Sequence, residues 1–316
     1  MRLGSAVRIS LNLGETPIAR GHPAPFTGLY KRLEGGQPHA VVCAPVHSMT
    51  HRDFPLNKRD GLRIASTSPV EMSAIILDFR AKKRVLSHHL LAAGESAELP
   101  EITGPEPIPF LNLASMSGAQ DLVALIRDLA ITKEEIRNAL EDAGVRDRLS
   151  SHMLVFRTDW LREFHRHRVS YGNPFLEGHS AYLSHPYLSP GAAEWLRELG
   201  LRAIAHDLPS FENPLLYAKG PNVIPIVQNA RILMDEFLAQ EGHTIEERCF
   251  ESEFNSVRNE REAPPTYVKL LSFKDTGGFT GSDFGSPRRE ISVIPIPALQ
   301  DPYGIACEVY IGGTED

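Results

Sequence analysis

Cysteine is scarce in this chain. The 316 residues hold three, Cys43, Cys249 and Cys307, far apart and odd in number. That spacing excludes a disulfide framework and leaves no Cys-x-x-Cys pair for a zinc site, so a reducing compartment is expected. Long apolar runs are lacking as well. No stretch approaches the roughly 20 residues of a membrane-spanning helix, and Met1–Ala6 has no continuous apolar core of the kind a signal peptide needs. The expectation is a soluble, cytoplasmic protein with no membrane partner. An excess of positive charge is missing too: 33 Lys and Arg stand against 40 Asp and Glu, a net charge of -7. Neutralising a phosphate backbone needs the opposite balance, so nucleic acid is excluded as a partner. The glycine-rich stretch Thr276–Ser282 lacks the lysine-serine ending of a phosphate-binding loop. What is present is an ordinary globular composition, 42% hydrophobic and 23% charged, which points to a small-molecule substrate.

Patterning gives a series of alternating helices and strands. Val7–Leu13 alternates apolar and polar residues as a half-buried strand does, and Ala40–Cys43 reads as another strand. Met72–Phe79 is an apolar, β-branched run suited to the centre of a sheet. Thr132 and Glu135 have the spacing of a capping box, which predicts a helix running to about Gly144. Met153–Arg157 reads as a buried strand. Ser189 followed by Pro190 opens the best helix of the chain, which Gly200 ends, and Leu201–Ala205 follows as a strand. Val223–Val227 reads as a strand ending at Gln228, with helical spacing from Asn229 to Gln240. Ile291–Ile296 and Ile305–Ile311 read as the closing strands. Such an order is the grammar of an α/β domain. The simplest organisation is one domain over 1–316 with insertions: about 95–150, partly helical, and about 241–290, a lid or oligomer contact.

Chemistry concentrates between Pro45 and Pro55. His47, His51 and Asp53 offer two imidazoles and a carboxylate, a donor set suited to zinc, manganese or ferrous iron that leaves coordination positions open for water and substrate. The flanking prolines argue against a long helix, and the segment reads as an irregular loop leaving the Ala40–Cys43 strand. Taken alone, the spacing is equally compatible with a polar surface turn.

The chain resembles the cyclase family of metal-dependent hydrolases, of the kynurenine formamidase and isatin hydrolase type. Three ordered motifs carry the resemblance. The family pattern His-x-Gly-Thr-His-x-Asp-x-Pro-x-His is met by His47, Thr50, His51, Asp53 and Pro55. An Arg-Thr-x-Trp segment is present as Arg157, Thr158 and Trp160. Leu188-Ser189-Pro190 precedes a helix and then Asp207-Leu208-Pro209-Ser210. The resemblance implies an α/β fold of the swivelling β/β/α type, with a mixed central sheet flanked by helices. It also implies a homodimer or homotetramer.

Two departures from the pattern bear on the chemistry. Met49 replaces the glycine, and Asn57 stands where the family has a last histidine that serves as an acid/base group or second-metal ligand. Asparagine cannot shuttle a proton, though its amide can orient a water or a carbonyl. No histidine lies between Phe211 and Val227, and Gln228 replaces a family glutamate. One divalent metal ion rather than two is therefore expected, zinc or manganese, held by His47, His51, Asp53 and the neutral carbonyl of Gln228. Asp53, Asn57 and His206 are the catalytic candidates, with His179 a further possible proton carrier. Phe26, Trp160 and Ser210 are the substrate-binding candidates. The implied reaction is hydrolysis of an amide, lactam or ester bond in a small, aromatic or cyclic molecule. A metal-dependent lyase, dehydratase or cyclase, and a non-catalytic ligand-binding homologue, are the alternatives.

Overall fold

The computed structural model describes residues 7–9, 28–34, 37–43, 50–57, 62–82, 118–145, 149–158, 185–208, 210–217, 225–234, 245, 248–250, 265–270, 287–300 and 304–313. Its strands, in chain order, are β1 (Val7–Ile9), β2 (Gly28–Glu34), β3 (Gln37–Cys43), β4 (His51–Asp53), β5 (Leu56–Asn57), β6 (Leu62–Arg63) and β7 (Val70–Asp78). There follow β8 (Ala130–Ile131), β9 (His152–Arg157), β10 (Tyr187–Leu188), β11 (Ala203–His206), β12 (Thr266–Lys269), β13 (Arg288–Gln300) and β14 (Gly304–Gly313). The helices are α1 (Ala119–Asp128), α2 (Lys133–Asp142), α3 (Pro190–Glu198) and α4 (Pro225–Ile232).

Eight strands form one mixed sheet in the order β1-β14-β13-β7-β9-β11-β12-β4, and β4 pairs additionally with β14. That last pairing closes the strands from β14 round to β4 into a ring, with β1 on the outer edge of β14. The stretch β7-β9-β11-β12 is parallel, and the remaining pairings of the ring are antiparallel. The central strands read as continuous apolar runs because both of their faces are covered. Ala74, Ile76, Met153, Val155, Ala203, Ala205 and Val268 point into the ring, where they meet Ile291, Val293, Cys307, Val309 and Ile311. Their alternates, Ile75, Leu77, Leu154, Phe156 and Ile204, face outward onto Ile136 and Leu140 of α2 and Ala192, Ala193 and Leu196 of α3.

The helix ends follow local chemistry. Thr132 caps α2 through Oγ1, which accepts from the Glu135 amide at 3.3 Å, while Glu135 Oε2 accepts from the Thr132 amide at 2.8 Å. Gly144 and Gly200 lie at φ 68 and φ 76, the left-handed conformation that stops a helix with least strain at glycine. Ser189 Oγ accepts from the Ala192 amide at 3.3 Å and caps α3.

Two expectations are corrected. The described part of the strand expected at Val223–Val227 is helical: Pro225–Ile232 is helix α4, with Val227 and Ala230 buried and Gln228 and Asn229 exposed. The β-branched pair Ile226-Val227 imitates a strand, but the burial spacing is helical, and proline is well tolerated in a first helical turn. The segment at 241–290 is not solely a lid or subunit contact. Ile245, Cys249 and Phe250 are buried in the core, and β12 runs through the sheet between β11 and β4. Among the described residues, no helix is long and apolar enough to cross a membrane.

Candidate metal and substrate site

The segment His51-Arg52-Asp53 is a strand, and this corrects its expected place in an irregular loop. The correction matters because side chains alternate along a strand. His51 and Asp53 therefore leave β4 on one face and Arg52 on the other. Arg52 is buried and donates to the Ser68 carbonyl at 3.3 Å, and its guanidinium lies close enough to the ring-facing Cys307 to act on it electrostatically. On the outward face, His51 Nε2 lies 3.2 Å from Asp53 Oδ1. His51 is fully buried, and the Asp53 side chain keeps 14% of its surface exposed, so the pair is reachable from the carboxylate side.

Pairing across strands assembles the rest. One register row reads Phe156, His206, Lys269, His51, Ala306, from β9 through β11, β12 and β4 to β14. The next reads Ile204, Tyr267, Asp53, Gly304. Gly304 is required where it stands: a Cβ there would lie 2.7 Å from the Arg52 carbonyl oxygen and 3.3 Å from Asp53 Oδ1. The absent side chain lets β14 close onto β4 and keeps space beside the carboxylate.

His206 is fully buried, with both ring nitrogens engaged. Nδ1 accepts from the Leu208 amide at 3.2 Å, and Nε2 meets the Tyr267 hydroxyl. The amide bond assigns the proton to Nε2, which then donates to the Tyr267 oxygen and leaves the phenol hydrogen directed away from the imidazole. Phe211 packs on the His206 ring with centroids 4.1 Å apart. Burial pushes the His206 pKa well down, the Lys269 ammonium adds to the effect, and the Asp53 carboxylate opposes it. His206 is thus a neutral imidazole that orients Tyr267.

The structure brings in His185, which carries no role in the sequence analysis. It is fully buried, and Nδ1 donates to the Pro186 carbonyl at 2.7 Å. The short pairing of β10 with β8, continued by the Leu188 amide to the Phe211 carbonyl at 3.0 Å, holds this stretch against the His206 region. Burial pushes the His185 pKa down to about 4, the Pro186 carbonyl opposes, and Lys269 lowers it further. Between that value and the ordinary 6.5, the unfolded chain binds the proton and the folded one does not. Stability is therefore present above pH 6.5 and declines as pH falls toward 4. A loss of about 2 kcal/mol from this group is expected between pH 7 and pH 5. Urea unfolding of the protein and of His185→Gln at both pH values checks it, since an unchanged difference in the variant would remove His185 as the cause.

The other two motifs meet each other. Asp207 accepts from the Thr158 amide at 2.9 and 3.0 Å and from its hydroxyl at 2.7 Å, tying together the ends of the parallel neighbours β9 and β11. Ser210 is half-buried, and its Oγ accepts from the Glu212 amide at 3.0 Å, a local turn contact. Gln228 is exposed on α4 and has lost the strand end on which its ligand role was based. The backbone of Asn57 ends β5, paired with Leu62. His47, Phe26, Trp160 and His179 lie outside the described residues, and among the described residues no group of three His, Cys, Asp or Glu side chains gathers as a metal site. Tyr267 and Lys269 were missed in the sequence because they sit at the end of a highly charged segment. Their one signal was the short strand-forming run Thr266–Lys269.

The model of the Cyclase family, described as "Putative cyclase", matches residues 8–213. No curated protein matches the chain. Similar solved structures include a predicted metal-dependent hydrolase from Bacillus stearothermophilus, 13% identical over 97% of this chain and 96% of that chain, TM-score 0.45. An isatin hydrolase bound to the product analogue thioisatinate is 11% identical over 98% and 92%, TM-score 0.45. Isatin hydrolase A from Ralstonia solanacearum is 12% identical over 98% and 92%, TM-score 0.45.

Proposed function

From the premise that the chain belongs to the cyclase family, we propose that it is a metal-dependent hydrolase cleaving an amide, lactam or ester bond of a small molecule. The observation that supports this reading is the His51–Asp53 pair, an imidazole nitrogen and a carboxylate oxygen 3.2 Å apart on one strand face. The pair fits a divalent ion, since bonds of about 2.0–2.2 Å to nitrogen and oxygen donors bring two ligands of one ion to such a separation. His47 is the proposed third ligand, and zinc or manganese the proposed ion. A bound ion supplies Lewis-acid polarisation of a carbonyl and lowers the pKa of water.

The chain's own groups do the remaining work. Asp53 contributes the negative charge that holds the ion. Tyr267, in register with Asp53 and fixed by His206, holds a phenol proton at the edge of the pair. Asn57 is the proposed orienting amide in place of a titrating histidine. Phe211 and Tyr267, with ring centroids 6.3 Å apart, shield His206 from water. The test is metal content of purified, metal-loaded protein together with product mass over an amide, lactam and ester panel. One ion per chain is expected, with products whose combined mass exceeds that of the substrate by one water. Protein that carries no metal after loading, or products that have lost water, would overturn hydrolysis.

A further inference from the structure

A directed chain of hydrogen bonds ends on the Tyr267 hydroxyl. The Leu208 amide donates to His206 Nδ1 at 3.2 Å, so the neutral ring carries its hydrogen on Nε2 and donates it to the Tyr267 oxygen. Every bond of this chain runs the same way, from main chain to imidazole to phenol. Bonds aligned head to tail polarise one another, so a phenol whose oxygen accepts becomes a stronger donor through its own hydrogen. Packing holds the geometry. Phe211 lies on the His206 ring with centroids 4.1 Å apart, and the Tyr267 ring meets that imidazole edge-on at 5.0 Å. Phe211, His206 and Tyr267 are at most 5% exposed, so water competes little for these bonds. The chain also ends beside the His51–Asp53 pair. Tyr267 and Asp53 are Cα partners on neighbouring antiparallel strands, and strand alternation puts both side chains on the outward face. Facing residues of such a pair have Cβ atoms about 4.5–5.5 Å apart. His51 and Asp53 both act electrostatically on His206, which keeps the imidazole and the phenol bonded to it close to the pair. An acyl group brought to that pair meets a hydroxyl already polarised for donation.

Resting on the hydrolase reading above, we propose that Tyr267 is a catalytic residue that donates a hydrogen bond to the acyl oxygen as it becomes negative, with His206 as its positioning residue. Addition of hydroxide forms a bond to the acyl carbon and moves the carbonyl π pair onto oxygen. Collapse returns that pair and breaks the bond to the leaving group, which carries off the proton of the added hydroxyl. Tyr267 keeps its own proton throughout. Such a donor favours the transition state over the bound substrate, because its acceptor is charged only once the hydroxide adds.

Tyr267→Phe removes the hydroxyl and keeps the ring. Phenylphosphonate, a stable tetrahedral anion, and benzamide, a planar neutral acyl compound, are titrated calorimetrically into the zinc-loaded native protein and this variant. The variant is expected to lose about 10- to 100-fold in phosphonate affinity and clearly less for benzamide. Its kcat on any substrate the native protein hydrolyses should fall by about 10²- to 10³-fold, with KM within a few-fold. Nitrogen-15 NMR of the native imidazoles reads the chain without metal or substrate, and His206 protonated on Nε2 is the expected tautomer. A proton on Nδ1 instead overturns the proposal, whether or not the variant folds. Metal content separates the two readings. Stoichiometric zinc with equal phosphonate affinity in the two proteins, or with no phosphonate binding by the native one, removes Tyr267 and leaves the metal reading standing. Native protein that takes up no zinc overturns the hydrolase reading and this role together.

Discussion

Asp53→Asn is expected to abolish stoichiometric metal binding and to lower turnover on the order of 10³-fold, with the fold intact. The change is isosteric and falls on a side chain that is 14% exposed, so packing is barely disturbed. What it removes is the anionic oxygen beside His51 Nε2, the one negative charge in either register row of the site. Disturbing groups that merely support metal ligands costs about 10- to 100-fold in affinity or activity, so loss of a ligand itself should exceed that range. Without the ion, a water at neutral pH lacks the acidification that makes it a nucleophile. Metal content by elemental analysis, far-UV circular dichroism and kcat on any hydrolysed substrate give three separate readouts. Retention of one ion per chain with turnover within a few-fold of the native protein would remove Asp53 from the ligand set. His51→Gln should behave alike, because the alternation of β4 places both donors on the same face.

How much of this was legible in the sequence depends on whether the signal was local. The capping box of Thr132 and Glu135 and the Ser189-Pro190 helix start are contacts within four residues, and each stands where spacing alone put it. The apolar runs of β7 and β9 were readable for a similar reason, since burial on both faces leaves little polar alternation to confuse the pattern, whereas β13 and β14 were readable from the apolar residues they turn into the ring. The candidate ligands His51 and Asp53 were named by type, but their geometry was not, because β4 is three residues long and the prolines near it suggest a loop. A strand that short exists only through its neighbours. Its partners are Tyr267 to Lys269 and Gly304 to Ala306, more than two hundred residues away in the chain, and no local pattern announces such pairings. Lys269, Tyr267 and His185 share that origin: each belongs to the site through a partner strand or loop and not through its own neighbourhood. Helix α4 shows the opposite failure, where the β-branched Ile226-Val227 pair gave a strand signal that the burial of Val227 and Ala230 overrode.

Asp207→Ala is expected to be the most destabilising single substitution outside the ring, by about 3–5 kcal/mol. Asp207 is 1% exposed, and its carboxylate takes the amide and the hydroxyl of Thr158, which is equally buried. Removing it leaves two buried donors without their acceptor, at about 1–3 kcal/mol each. It also removes the tie between the ends of β9 and β11, whose parallel pairing carries Phe156 beside His206. Thr158→Ala should cost less, about 1–2 kcal/mol, because the amide bonds to Asp207 persist. The double variant should cost clearly less than the sum of the two, since both singles break the same hydroxyl bond. Urea denaturation of the four proteins measures this cycle, and strict additivity would show that the two side chains do not act on each other. The site should feel the loss as well. Leu208, next in the chain, supplies the amide that fixes His206 Nδ1, and His206 in turn orients the Tyr267 hydroxyl. Asp207→Ala is therefore expected to lower kcat at temperatures where the variant is still folded, while metal content stays at the native level. Thr158→Ala, with the Asp207 backbone still held, should leave kcat close to native, and an equal fall in both variants would place the effect in general loosening and not in the His206 amide contact.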